Sequence, residues 1–111
     1  MRCGEIWWAN LPSPVGRRPV VLLSRDAAYQ ARTSITVAVI TRTVRHIPVE
    51  VPLGAEDGMP ENCVINLDNI MTIPKTLLSE RITVLSHDKI ALVNTAILFA
   101  LDIENERRAE K

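Results

Sequence analysis

Arg17 and Arg18 stand side by side against Pro19, and the aliphatic run Val20-Val21-Leu22-Leu23 follows. Proline cannot donate to a ladder, so Pro19 is expected at the first position of that strand. Arg18 is then held at the mouth of a rigid element, where its planar fork matches a phosphate or a carboxylate. Two readings are open there: a surface arginine paired with one of the protein's own acids, or the anion-binding group of a site. Further along, Thr41-Arg42-Thr43 closes a β-branched run, and Asn66, Asp68 and Asn69 punctuate another. If the segments 19–24, 34–41 and 63–73 are neighbours, these groups converge with Arg17 and Arg18. A set of arginines, threonines and amides suits RNA phosphates and base edges better than it suits a metal.

Other chemistries find little support. Cys3 and Cys63 lie in no metal or redox spacing, and each sits in or beside an apolar run, so both are expected to be reduced and inert. Two histidines, His46 and His87, are too few for a typical zinc site without acids or cysteines beside them. His87 falls on the first turn of a helix and reads as solvated. His46 lies in a hairpin between Arg45 and Pro48, either as a plain loop residue or as a catalytic one. The four glycines are dispersed and make no phosphate loop. Neither a metal nor a cofactor is expected.

The elements that must position these residues are mostly strands. Gly4 to Leu11 reads as the first, with Ile6 and Trp8 on one side and Glu5 and Trp7 on the other. Pro12 to Gly16 is a loop by composition. The Val20 run does not alternate, which predicts a strand buried on both faces. Ala27 to Ala31 suggests a helical turn. Ser34 to Thr41 is β-branched almost throughout and is predicted to be a central strand. Ile47 to Leu53 alternates, placing Ile47, Val49, Val51 and Leu53 on one face, and its two prolines send it to an edge. Gly54 to Glu61 is an acidic loop. Cys63–Leu67 and Ile70–Ile73 read as one strand bent around Asp68-Asn69. Pro74 opens a short helical turn, and Arg81–Leu85 is the last strand. Ser86 caps a helix whose first turn holds Asp88. Its core stripe is Ile90, Val93, Ile97 and Leu101, widened by Leu92, Ala96 and Ala100.

A chain of 111 residues, 47% hydrophobic and only 4% aromatic, is bounded to one domain with an aliphatic core. We assign that domain to residues 1–103 and a charged tail to 104–111. Strands with a terminal helix predict a mainly β fold, a compact bent sheet or small barrel with the helix packed on it. The first residues run straight into a strand with no cleavage pattern, and no apolar stretch reaches the ~18 residues of a membrane helix, so a cytoplasmic protein is expected. The formal charge is zero but unevenly spread. Residues 1–50 hold seven Lys/Arg against three Asp/Glu, and residues 51–111 hold six against ten. A basic half of this kind can face a polyanion.

Three blocks, in order, are similar to the MazF/PemK family of type II toxin–antitoxin ribonucleases. They are Gly4-Glu5-Ile6-Trp7-Trp8, then Arg18-Pro19-Val20-Val21-Leu22, then Asp68-Asn69-Ile70-x-Thr72-Ile73-Pro74-Lys75, with an aliphatic strand ending in Ile40-Thr41 between the last two. The resemblance covers Gly4 to about Asp102. It implies an SH3-like barrel of bent antiparallel strands with a C-terminal helix, a homodimer, and metal-independent cleavage of single-stranded RNA.

By the same resemblance Arg18 and Thr41 are the catalytic residues, and Asp68 is implicated in catalysis or RNA contact. Arg17, Arg42, Thr43, Asn66 and Asn69 join Asp68 as expected RNA-binding residues. The implied reaction is attack of a ribose 2′-hydroxyl on the adjacent phosphate, leaving a cyclic phosphate and a 5′-hydroxyl. The implied partner is a cognate antitoxin that lays an extended acidic segment across the toxin. Two departures stand out: the loop Pro12–Arg17 is short, and Met71 replaces a common arginine. Two other functions remain open, a CcdB-like gyrase poison and an SH3-like module that only binds. The charged end of the chain argues against the first.

Overall fold

A computed structural model describes residues 1–103; the charged segment 104–111 lies outside the described residues. Six strands form one antiparallel sheet: β1 (Glu5–Asn10), β2 (Arg17–Leu22), β3 (Ser34–Thr41), β4 (Glu50–Leu53), β5 (Cys63–Pro74) and β6 (Leu78–Val84). Their spatial order is β4-β5-β3-β2-β1-β6. A short helix α1 (Ala28–Ala31) joins β2 to β3, and α2 (His87–Ala100) follows β6. The sheet curls into a half-barrel until its two ends approach. Thr83 Oγ1 on β6 donates to the Asp57 carbonyl beyond β4 at 3.0 Å. Lys89 Nζ at the start of α2 donates to the Pro52 carbonyl on β4 at 2.6 Å and lies 3.6 Å from the Asp57 carboxylate. This is the expected architecture, mainly β with a C-terminal helix on a bent sheet.

The aliphatic runs are buried on both faces, as their lack of alternation predicts. On one face Ile6, Val21, Ala38, Ile40, Val51, Ile65 and Leu67 pack with Val93 and Ala96 of α2. On the other, Ala9, Val20, Leu22, Ile35, Val37 and Val39 pack with Tyr29 of α1. Burying an aliphatic side chain of this kind contributes about 1.5–3 kcal/mol, so the central strands β2 and β3 anchor the fold from both sides. Ser86 caps α2 as expected, its Oγ accepting from the Lys89 amide at 3.2 Å.

Three expectations are corrected. Pro19 is the third residue of β2, not the first, because the strand begins at Arg17. Ile47 does not continue the buried row of Val49, Val51 and Leu53. It is exposed in a turn closed by the Glu50 amide on the Ile47 carbonyl at 3.0 Å, and β4 starts only at Glu50. In α2 the core face is Val93 and Ala96 with Ile90, Ile97 and Ala100 beside them, whereas Leu92 and Leu101 are exposed by 50% and 57%. The helix is apolar nearly all round, so helical spacing alone does not separate its inner stripe from its outer one.

Candidate functional site

The site begins where two strands part. Strand β2 pairs with β1 from Arg17 to Val21 but with β3 only from Val20 to Leu22. The same register carried further would set Pro19 against Ile40 and Arg18 against Thr41. The ladder instead stops at Val20↔Val39, next to the one residue with no N–H to offer. Meanwhile β3 stays paired to β5 through Ile40↔Ile65 and Thr41↔Val64. On its β3 side the start of β2 therefore behaves as an edge, the setting in which a strand tolerates proline.

Two cavities open at this parting, of about 290 and 230 Å³, and Arg18 and Thr41 line both. The larger has an apolar floor of Pro19, Ile40, Met59 and Cys63, with Trp8, Arg17, Arg42 and Glu61 around it. The smaller is polar: Thr43, Arg45, Asn66 and Asn69 join Arg18 and Thr41, with Val15 and Val39 as apolar walls.

Seven of the eight residues expected from the sequence thus come together. Arg17 and Arg42 sit in the larger cavity, Thr43, Asn66 and Asn69 in the smaller, and Arg18 and Thr41 in both. Asp68 lines neither and is exposed beside them. His46 also lines neither; it occupies an exposed turn at φ 56°, which the Glu50 carboxylate pins by accepting from the Arg45 and His46 amides at 2.9 and 3.0 Å.

The arginines are not equivalent. Arg17 stacks over the Trp8 ring, 4.3 Å from its centroid, and lies 3.3 Å from the Glu80 carboxylate. Arg42 lies 3.3 Å from the Glu61 carboxylate. Such exposed pairs contribute about 1 kcal/mol or less. Arg18 has no ion-pair partner among the described residues. Of the two readings open for it, the surface ion pair falls to its neighbour Arg17.

Thr41 is prepared as a donor. Its Oγ1 accepts the Thr43 amide at 3.2 Å, leaving the hydroxyl proton to point elsewhere. On β5, consecutive residues Ala38 and Val39 of β3 pair with Ile70 and Asn66, so Leu67, Asp68 and Asn69 bulge out of the ladder. This is the bend foreseen around Asp68-Asn69. It turns Asn66 and Asn69 toward the smaller cavity. Burial pushes the Cys63 thiol above its ordinary value, helped by the charges of Asp57 and Glu61, so it stays a protonated part of the floor. Met71 is half-buried against the second core, in a packing role. Among the described residues no group of three His, Cys, Asp or Glu side chains is placed to hold a metal.

Sequence reasoning missed Arg45, Trp8, Met59 and Glu61. Arg45 carries a signal, since it follows Arg42 in the same basic turn. Glu61 and Met59 come from a loop whose approach to Arg18 depends on how far the sheet curls, and no local pattern reports that.

The chain is 44% identical over 87 residues to the probable endoribonuclease MazF2 of Mycobacterium tuberculosis, a match spanning 78% of this chain and 83% of that one. It is 36% identical over 100 residues to the probable endoribonuclease MazF5 of the same organism, spanning 89% and 91%. Among solved structures, the Mycobacterium tuberculosis toxin MazF-mt6 superposes with a TM-score of 0.84 at 35% identity, covering 91% of this chain and 99% of that one. A mycobacterial endoribonuclease in complex with its cognate antitoxin superposes with a TM-score of 0.84 at 25% identity, covering 95% and 98%. No helix of the described residues is long and apolar enough to cross a membrane. A family model described as PemK-like, MazF-like toxin of type II toxin-antitoxin system matches residues 2–101, and the chain belongs to that family.

Proposed function

We propose that this chain is a toxin that cleaves single-stranded RNA without a metal, with Arg18 and Thr41 as its catalytic residues. The observation that carries the reading is the placement of a guanidinium with no ion-pair partner among the described residues, and of a donor-ready hydroxyl, on the wall shared by two cavities, in a chain whose relatives are named endoribonucleases. In the proposed reaction the ribose 2′-oxygen attacks the adjacent phosphorus in line and the bond to the 5′-oxygen breaks. The 2′-proton is lost and the departing 5′-oxygen gains one. The nucleophile is carried by the substrate, so the protein has to align it and stabilise charge on the phosphoryl oxygens. Arg18 does the latter, and Thr41 donates to the same phosphate. A guanidinium remains protonated in proteins, which suits it to hold charge and not to act as the base.

The other RNA contacts follow the cavities. Arg17, Arg42 and Arg45 surround the phosphate path, and Thr43, Asn66 and Asn69 face a flanking nucleotide. Asp68, within the bulge, donates its backbone N–H to Asn66 and leaves its carboxylate exposed beside the RNA path. We further propose a cytoplasmic homodimer and a cognate antitoxin whose acidic extended segment covers the arginine corner, competing with RNA. Antitoxin affinity is expected to fall between low and high salt; an affinity indifferent to salt would reject an electrostatic groove.

The test of the activity is digestion of a long single-stranded RNA in EDTA, with the cut ends identified. Defined cuts with 5′-hydroxyl ends by the wild type, absent for a folded Arg18→Ala, are the expected result. An intact substrate with folded wild type would reject the ribonuclease reading and favour a gyrase poison or a binding module.

A further inference from the structure

Asn66 is held in one orientation. Its Oδ1 accepts the backbone N–H of Asp68 at 3.0 Å, a bond internal to the bulge. The bulge is itself fastened from the β4 side, because the amide of buried Leu67 donates to the Val49 carbonyl at 2.9 Å. An N–H facing Oδ1 settles which end of the amide is oxygen. The Nδ2 end is then left as a fixed donor, on a half-buried side chain that lines the smaller cavity with Arg18 and Thr41.

That cavity of about 230 Å³ joins Arg18 and Thr41 to two apolar walls, Val15 and Val39, and to neutral amides. Two guanidiniums, Arg18 and Arg45, also line it and are the groups suited to the phosphate backbone. A fixed neutral donor adds little for a phosphate but discriminates among bases, since uracil O4 and guanine O6 are acceptors where cytosine N4 and adenine N6 are donors. We infer that Asn66 is a specificity-determining residue: its Nδ2 donates to the exocyclic oxygen of the base beside the cut, selecting uracil or guanine over cytosine or adenine at that one position. This rests on the ribonuclease reading above.

The experiment maps cut sites on a random-sequence RNA for the full chain as wild type, Asn66→Asp and Asn66→Ala. Asn66→Asp keeps Oδ1 for the Asp68 amide but turns the free donor into an acceptor. The wild type is expected to favour uracil or guanine at one position flanking the cut by roughly ten-fold or more. Asn66→Asp should move that position toward cytosine and adenine, and Asn66→Ala should bring its preference toward even, with the other positions unchanged. As a check independent of any variant's folding, the wild type should cut poorly when that position carries a uridine analogue lacking the 4-oxygen.

Unchanged preference in a folded Asn66→Asp, or full cleavage of the analogue, overturns the assignment. A uniform loss across all sequences, with preference intact, also overturns it and marks Asn66 as a phosphate contact. Absence of cuts by the folded wild type removes the ribonuclease reading, and this assignment with it.

Discussion

Strands β2 and β3 are laddered at one end and parted at the other, and the two ends do different work. From Val20 to Leu22 the pairs with Val39, Ala38 and Val37 are complete, and all six side chains are buried. From Arg17 to Pro19 the same strand keeps only β1 beside it, and the gap opposite Ile40 and Thr41 holds both cavities. The laddered end supplies rigidity and no accessible chemistry. The parted end supplies accessible polar groups, and Arg18, Thr41, Arg42, Asn66 and Asn69 are each one or two residues from a buried neighbour. A single proline marks the boundary, and the lesson is that a site can be made by ending a ladder early inside an otherwise regular sheet.

The largest effect should come from breaking the parted end. Arg18→Ala is expected to lower RNA cleavage by about 10²–10³-fold, the scale on which one preorganised charge stabiliser acts in a transition state. Its unfolding free energy from a denaturant titration should stay within about 0.5 kcal/mol of wild type, because Arg18 is exposed and makes no ion pair among the described residues. Arg17→Ala sharpens the contrast: its guanidinium is already engaged by Trp8 and Glu80, so the loss should be several-fold at most, read as a rise in KM. Equal losses for both arginines would dissolve the distinction between them.

Breaking the laddered end should do the reverse. Leu22 is fully buried in the second core, and Leu22→Ala is expected to cost about 2–5 kcal/mol of stability. Cleavage per folded molecule should stay near wild type when assayed well below the melting temperature. A variant that kept its stability but lost activity would mean that the ladder tunes the site directly.

Most of the laddered end was legible in the sequence. Runs such as Val20–Leu22 and Ser34–Thr41 have one structural use, a strand covered on both faces, and they form it. The parted end was legible as residues, because arginine, threonine and amide types cluster at strand ends, but not as geometry. The sequence put Pro19 at a strand start; β2 begins two residues earlier because β1 alone can pair it there. The acidic loop gave no sign that Met59 and Glu61 reach the larger cavity, since their approach is set by the curl of the whole sheet. In α2, apolar residues nearly all round left Leu92 and Leu101 wrongly assigned to the core.

The smallest expected effect separates the two ends by their buried protons. Tyr29 packs against the laddered end in the second core, with its hydroxyl buried, near the Ser24 backbone but with no well-formed hydrogen bond among the described residues. Burial, then the nearby charges of Cys3, Asp26 and Glu5, push its ionisation well up; the Ser24 backbone opposes this only in part. Because the native state holds this proton more tightly than the unfolded chain, Tyr29 costs no stability below the unfolded phenol's ordinary value of 10.0 and destabilises the fold as pH rises beyond it. Cys63, under the parted end, acts in the same direction from the lower ordinary value of 9.0. Tyr29→Phe removes an unsatisfied buried hydroxyl, so it should be neutral or stabilising by up to about 1 kcal/mol at pH 7. Denaturant midpoints measured from pH 7 to 11 should show a shallower alkaline fall for Tyr29→Phe above pH 10, and for Cys63→Ala an earlier relief, from about pH 9. A Tyr29→Phe variant that lost stability at pH 7 would mean that the hydroxyl has a partner in solution, and the laddered end would then contain a polar contact as well as an apolar core.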